Sequence, residues 1–224
     1  MPPKSSQTLF AQKKRRVIGE MIRKAELKNK NAWVSIHRSS KEDMITYESK
    51  GFVVSINGSG TLAMDHAQCK EAGLLSAYVV GHGGIVINGG RSSGIIAASS
   101  HAAGPHKIGI VFPEIEKEAD DAGSKALVNS PQPRNELLST CAPIIVIFRG
   151  GLGTLMTLLR SIVHIKNRPY HPDQLPQMVF ISNYWIGLLT TLMNMGTLPR
   201  EFIVALHFFD SAQDIINKIP SQEG

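Results

Sequence analysis

Residues Ile144–Thr154, IIVIFRGGLGT, decide the fold: a buried-strand run stops at a glycine turn, and a helical pattern starts immediately after it. The apolar run ending in Phe148 suits a central strand of a parallel sheet, because both faces of such a strand are covered. Gly150, Gly151 and Gly153 then remove side chains where the backbone must turn tightly and let a ligand come close. Past Thr154, the residues Leu155, Leu158, Leu159 and Ile162 recur at helical spacing. A helix beginning there aims unpaired N–H groups and the positive end of its dipole at the edge of the sheet, so the junction suits a phosphate.

Two further segments repeat the arrangement. Ile85–Gly94, IVINGGRSSG, runs from an apolar strand through Gly89 and Gly90 to Ser92, Ser93 and Gly94. Phe52–Ile56 runs into Asn57-Gly58-Ser59-Gly60-Thr61. Strands that deliver glycines and hydroxyls to their C-terminal ends match the ligand geography of an open α/β sheet. The expected ligand contacts are therefore Gly58, Ser59, Gly89, Gly90, Ser92, Gly150, Gly151, Gly153 and Thr154. Neither a full dinucleotide fingerprint nor a P-loop lysine is present, which disfavours NAD binding and Walker-type ATP hydrolysis.

Away from these turns, strands are expected at about 52–56, 84–88, 107–112, 144–148, 177–182 and 203–208. Helical patterns are expected at about 63–77, 94–103, 134–141, 154–166, 184–195 and 211–218. Strands alternating with helices of crossover length predict one α/β domain over residues 51–219, with a parallel sheet covered by helices on both faces. The stretch from Phe112 to Pro133 carries Glu114, Glu116, Glu118, Asp120 and Asp121 and ends in Pro131-Gln132-Pro133. It reads as an exposed acidic loop holding at most a short element, at the rim of the proposed phosphate site.

Charge divides the chain in two. The first thirty residues hold nine Lys or Arg against Glu20 and Glu26, a net of +7, whereas the whole chain is +6, so the remainder carries −1. Residues 1–50 are thus expected to be a basic extension, in which Ile18, Met21, Ile22 and Ala25 have the spacing of an amphipathic helix. Three roles fit residues 1–30: a solvated helix, an arm for a polyanion or a protein partner, or an organelle-targeting segment. Cys69 and Cys141 lack metal spacing and suit a reducing compartment, cytoplasmic or an organellar matrix. No metal site is expected from eight scattered histidines, the nearest pair, His101 and His106, being interrupted by Pro105. No cofactor motif stands out, and no apolar stretch has the length of a membrane span.

With these residues in view, the chain resembles the LOG family, Rossmann-like proteins labelled lysine decarboxylases whose active members are nucleotide phosphoribohydrolases. Its motif PGGxGTxxE stands here as Arg149-Gly150-Gly151-Leu152-Gly153-Thr154-Leu155-Met156-Thr157, with arginine for proline and threonine for glutamate. The family's GGGxxG appears as Gly89-Gly90-Arg91-Ser92-Ser93-Gly94. Arg134, followed by Asn135 instead of the usual lysine, takes the place of the arginine upstream of the motif. The resemblance implies that Arg134 binds the ligand and, in an active member, shares hydrolysis of the N-glycosidic bond with the glutamate. It also implies a homodimer formed through helices near the glycine motif.

A leaving base generates positive charge on the ribosyl centre, and a carboxylate stabilises that charge. Thr157 offers a hydroxyl without negative charge or basicity near neutral pH. The expected function is nucleotide binding, of a nucleoside monophosphate or another phosphoribosyl ligand, with a degenerate catalytic site. One alternative is an active nucleoside 5'-monophosphate phosphoribohydrolase that borrows a carboxylate from Asp65, Glu114 or Glu136. Another is a non-catalytic structural or RNA-associated subunit that uses the basic tail. Arg91 and Arg149 add cations beside the two glycine turns, where they either strengthen phosphate binding, fill the pocket, or pair with the acidic loop.

Overall fold

The computed structural model describes residues 52–167 and 178–219, together with the backbones of four N-terminal strands: β1 (Arg15–Gly19), β2 (Ile22–Glu26), β3 (Trp33–Arg38) and β4 (Asp43–Glu48). From there strands and helices alternate. The strands are β5 (Val53–Asn57), β6 (Ile85–Asn88), β7 (Lys107–Val111), β8 (Ser124–Val128), β9 (Ile144–Ile147), β10 (Met178–Ser182) and β11 (His207–Phe209). Between and after them come α1 (Ala67–Gly81), α2 (Gly94–Ala103), α3 (Pro113–Glu116), α4 (Pro131–Thr140), α5 (Leu152–Asn167), α6 (Ile186–Asn194), α7 (Arg200–Val204) and α8 (Ala212–Ile216).

Seven parallel strands lie in the order β11-β10-β9-β5-β6-β7-β8, and β2 closes the far edge antiparallel to β8. The parallel part begins at β5 in the middle of the sheet and moves outward through β6, β7 and β8. It then returns to the other side of β5 with β9. The order therefore reverses between β5 and β9, and a crevice opens there at the C-terminal ends of the strands. A separate antiparallel sheet has the order β1-β4-β3.

Strand β9 shows why its run is unbroken. Ile145 and Ile147 enter the core with Leu137, Leu158, Ile162 and Trp185, while Ile144, Val146 and Phe148 enter the opposite core with Leu75, Val79, Ile95 and Ile215. Alternate side chains point to opposite faces, and both faces are covered by helices. Cys69 and Cys141 are both buried and are not joined in a disulfide. No helix among the described residues is long and apolar enough to cross a membrane.

Four expectations are corrected. The acidic segment is not a loop throughout: it holds α3 and the strand β8, whose alternately buried residues give no continuous apolar run. Pro131 and Pro133 open α4 instead of stopping the chain, since an N–H in the first turn of a helix has no intrahelical partner to lose. The strand expected at 203–208 is confined to His207–Phe209, because Arg200–Val204 is helical. Ile18, Ile22 and Ala25 lie in strands that pair with β4 and β8, so edge pairing overrides the helical spacing. Met21 and residues 1–14 of the basic tail lie outside the described residues.

Candidate functional site

Three turns at the C-terminal ends of β5, β6 and β9 are tied into one rim. Phe148 N–H donates to the Asn57 carbonyl at 2.8 Å, and Ser59 N–H donates to that of Arg149 at 2.9 Å. Ile95 N–H donates to the Ser59 carbonyl at 2.8 Å, and Ser93 Oγ donates to that of Gly60. Beneath the rim lies a cavity of about 390 Å³. That is at the lower end of the roughly 300–1,000 Å³ typical of small-molecule sites.

Of the residues expected from sequence, Gly58, Ser59, Gly89, Arg134, Gly151, Gly153 and Thr154 line this cavity. Gly90, Ser92 and Gly150 are not among its lining residues. Gly90 is a buried spacer whose N–H donates to Asn88 Oδ1 at 2.9 Å and whose carbonyl accepts from Asp120 N–H at 2.8 Å. Ser92 is exposed, and its N–H donates to the Glu118 carbonyl. Gly150 acts indirectly: a Cβ there would collide with the Thr154 side chain, which is buried against it. The apolar half of the cavity comes from Ile96, Phe112, Ile115, Leu138 and Met156, and Asn57, Thr61 and Asn135 add polar atoms. These side chains come from separate elements, and no local pattern marks them.

Arg134 sits in the first turn of α4. Its Nε donates to the Ile110 carbonyl at 2.9 Å and its Nη2 to that of Gly89 at 2.8 Å, while its guanidinium lies 6.0 Å from the Phe112 ring centroid. Burial, reinforced by the charge of Arg91, pulls its pKa down to about 10, so it is still a cation at neutral pH. No carboxylate pairs with it among the described residues, and none lines the cavity. Arg91 also lines the cavity and is held 3.9 Å from Glu118, so the acidic segment does reach the rim.

Thr157 is buried in the cavity wall, and its hydroxyl donates to the Gly153 carbonyl at 3.2 Å. The candidate substitute carboxylates lie elsewhere: Asp65 and Glu114 do not line the cavity, and Glu136 is paired with Arg160 and stands 3.4 Å from His164 Nε2. Arg149 does not fill the cavity. Its guanidinium lies 4.9 Å from the Tyr184 ring centroid, and its N–H donates to Gln68 Oε1 at 2.9 Å, a bond that proline could not make. Among the described residues there is no group of three or more His, Cys, Asp or Glu placed to hold a metal ion.

Solved structures share this fold at low identity. The molybdenum cofactor binding protein of Rippkaea orientalis superposes with a TM-score of 0.57 at 18% identity, over 75% of this chain and 94% of its own. The molybdenum cofactor carrier protein of Chlamydomonas reinhardtii gives 0.54 at 17%, over 75% and 95%. DNA processing protein A of Helicobacter pylori, described with a single-stranded DNA binding mode, gives 0.51 at 13%, over 83% and 94%. No curated protein sequence matches. The family described as possible lysine decarboxylase matches residues 83–219, more than half of the chain and including both later glycine turns. The glycine-rich turns, the reversal of strand order between β5 and β9 and this match together make the chain a member of that family, the LOG family.

Proposed function

We propose that the protein binds a nucleoside monophosphate or a related phosphorylated heterocycle in this cavity and does not cleave its glycosidic bond. The observation that carries the reading is Arg134: a half-buried guanidinium with no carboxylate partner among the described residues, at the wall of a cavity also lined by the glycine turns. A partly desolvated cation without a counter-charge favours an anionic ligand, and the first turn of α5 presents unpaired N–H groups to the same anion. Ile96, Phe112 and Met156 suit the flat apolar body of a base. Thr157 in place of the motif glutamate removes the charge that hydrolysis needs.

Calorimetry and thermal shift with a panel of nucleoside monophosphates, on wild type and Arg134→Ala, test this reading, with free base assayed in the same samples. Binding that is lost in Arg134→Ala without release of base supports it. Release of base by wild type, or binding indifferent to Arg134, overturns it. The relatives named for the molybdenum cofactor make that cofactor a second ligand for the same panel.

The reading extends to a homodimer. Leu152, Met156, Leu159 and Val163 recur along one side of α5 and are 40–81% exposed. Their spacing of four, three and four residues forms an apolar stripe beside the cavity. Sedimentation of wild type and Leu159→Glu tests it, the variant being expected to run as a monomer.

A further inference from the structure

The structure assigns a second oxyanion site, outside the glycine cavity, to the guanidinium of Arg149 and the Nε2–H of His66, with the Tyr184 ring as its wall. His66 is the N-cap of α1, and the backbone N–H of Gln68 donates to its Nδ1 at 3.1 Å. A backbone N–H can only donate, so Nδ1 presents its lone pair and the hydrogen of the neutral ring is on Nε2. That Nε2 lies 3.4 Å from Nη1 of Arg149. A guanidinium also has only donors. Two donors cannot bond each other, so both are poised for one shared acceptor.

The pair is held in place before any acceptor arrives. Arg149 is anchored through its own N–H to Gln68 Oε1, through its carbonyl to Ser59 N–H, and by its guanidinium against Tyr184. Gln68 in turn donates to Ser182 Oγ at 3.0 Å. No carboxylate pairs with Arg149 among the described residues, and Tyr184 is 51% exposed, which leaves the site open to small solutes. The permanent charge of Arg149 selects an oxyanion, a phosphate or a carboxylate, over a neutral acceptor. Arginine at a motif position written as proline supplies both the guanidinium and the N–H that anchors it.

Ring-nitrogen and aromatic NMR on the full chain tests the assignment, with inorganic phosphate and acetate as probes. The expected result is His66 with its hydrogen on Nε2, and His66 and Tyr184 signals that shift together on addition of one of the two anions. Arg149→Met should weaken that response roughly tenfold or more, the loss of a charge-assisted bond. His66→Asn, which keeps an N-cap oxygen for α1, should weaken it as well. The Gly153 amide reports the glycine cavity separately, so either site can fail without the other. A hydrogen found on Nδ1, His66 and Tyr184 signals indifferent to both anions, or an undiminished response in Arg149→Met would overturn the assignment. A response to phosphate alone or to acetate alone assigns the class of oxyanion.

Discussion

The Arg134 guanidinium rests on the Gly89 peptide: Nη2 donates to the Gly89 carbonyl at 2.8 Å, and a Cβ at position 89 would collide with that same nitrogen. A helix and a turn far apart in the chain are thereby fitted to one another. Gly89→Ala is expected to displace Arg134 and to weaken nucleotide binding nearly as much as Arg134→Ala does. It should also lower stability by about 1–3 kcal/mol, as overpacking at a tight contact does. Calorimetry and urea denaturation of the two variants check both effects, and normal affinity in Gly89→Ala would separate Arg134 from the ligand.

Thr157 stands where the family motif has glutamate. Thr157→Glu puts a carboxylate in the cavity wall that carries Arg134. Base release from a nucleoside monophosphate is expected to rise by roughly 10²–10³ over the wild-type background, the usual worth of one electrostatic catalytic group. A chromatographic assay for free base measures it. No gain over background would mean that a carboxylate at this position does not support base release.

Glu118 is expected to compete with a phosphorylated ligand for Arg91. Their 3.9 Å pair is exposed, with side chains 39% and 63% accessible, so Glu118→Gln should leave stability within about 0.5 kcal/mol of wild type. The same change frees Arg91 at the cavity and should tighten binding of a phosphorylated ligand by about two- to fivefold, an effect that fades in high salt. Weaker binding in the variant would contradict this competition.

Glu136 links α4 to α5 through Arg160 and His164, and a pH dependence of stability is expected from it. The His164 imidazole and the Arg160 guanidinium hold its carboxyl below the ordinary 4.5, against the opposing effect of burial. A carboxyl with a folded value below its unfolded one contributes stability that is present above pH 4.5 and is lost as pH falls through the folded value. Glu136→Gln is therefore expected to cost about 1 kcal/mol near neutral pH, and the gap from wild type should close in acid below that window. Urea denaturation at pH 7 and at about pH 3 decides it; a constant gap would place the effect in packing.

The sequence by itself determined the parallel sheet, because IIVIF has no polar face and only a strand covered on both sides accommodates such a run. It also marked the turns at Gly58, Gly89 and Gly150, where a side chain would collide with Ile95, Arg134 and Thr154 respectively. It did not reveal β8, whose half-covered pattern is diluted by Lys125 and the surrounding acids, nor the strands β1 and β2, which acquire their conformation by pairing with distant edges. The same division holds in the site. The family motif pointed to Arg134, but only tertiary structure decided that it is half-buried, bonded to two carbonyls and without a carboxylate partner among the described residues. Only tertiary structure turned Arg149 away from the cavity and brought it to His66, and gathered Ile96, Phe112 and Met156 into one apolar wall. The physical reason is range: backbone conformation and strand burial are written in neighbouring residues, whereas charge compensation and cavity shape depend on groups brought together by the crossovers of the sheet.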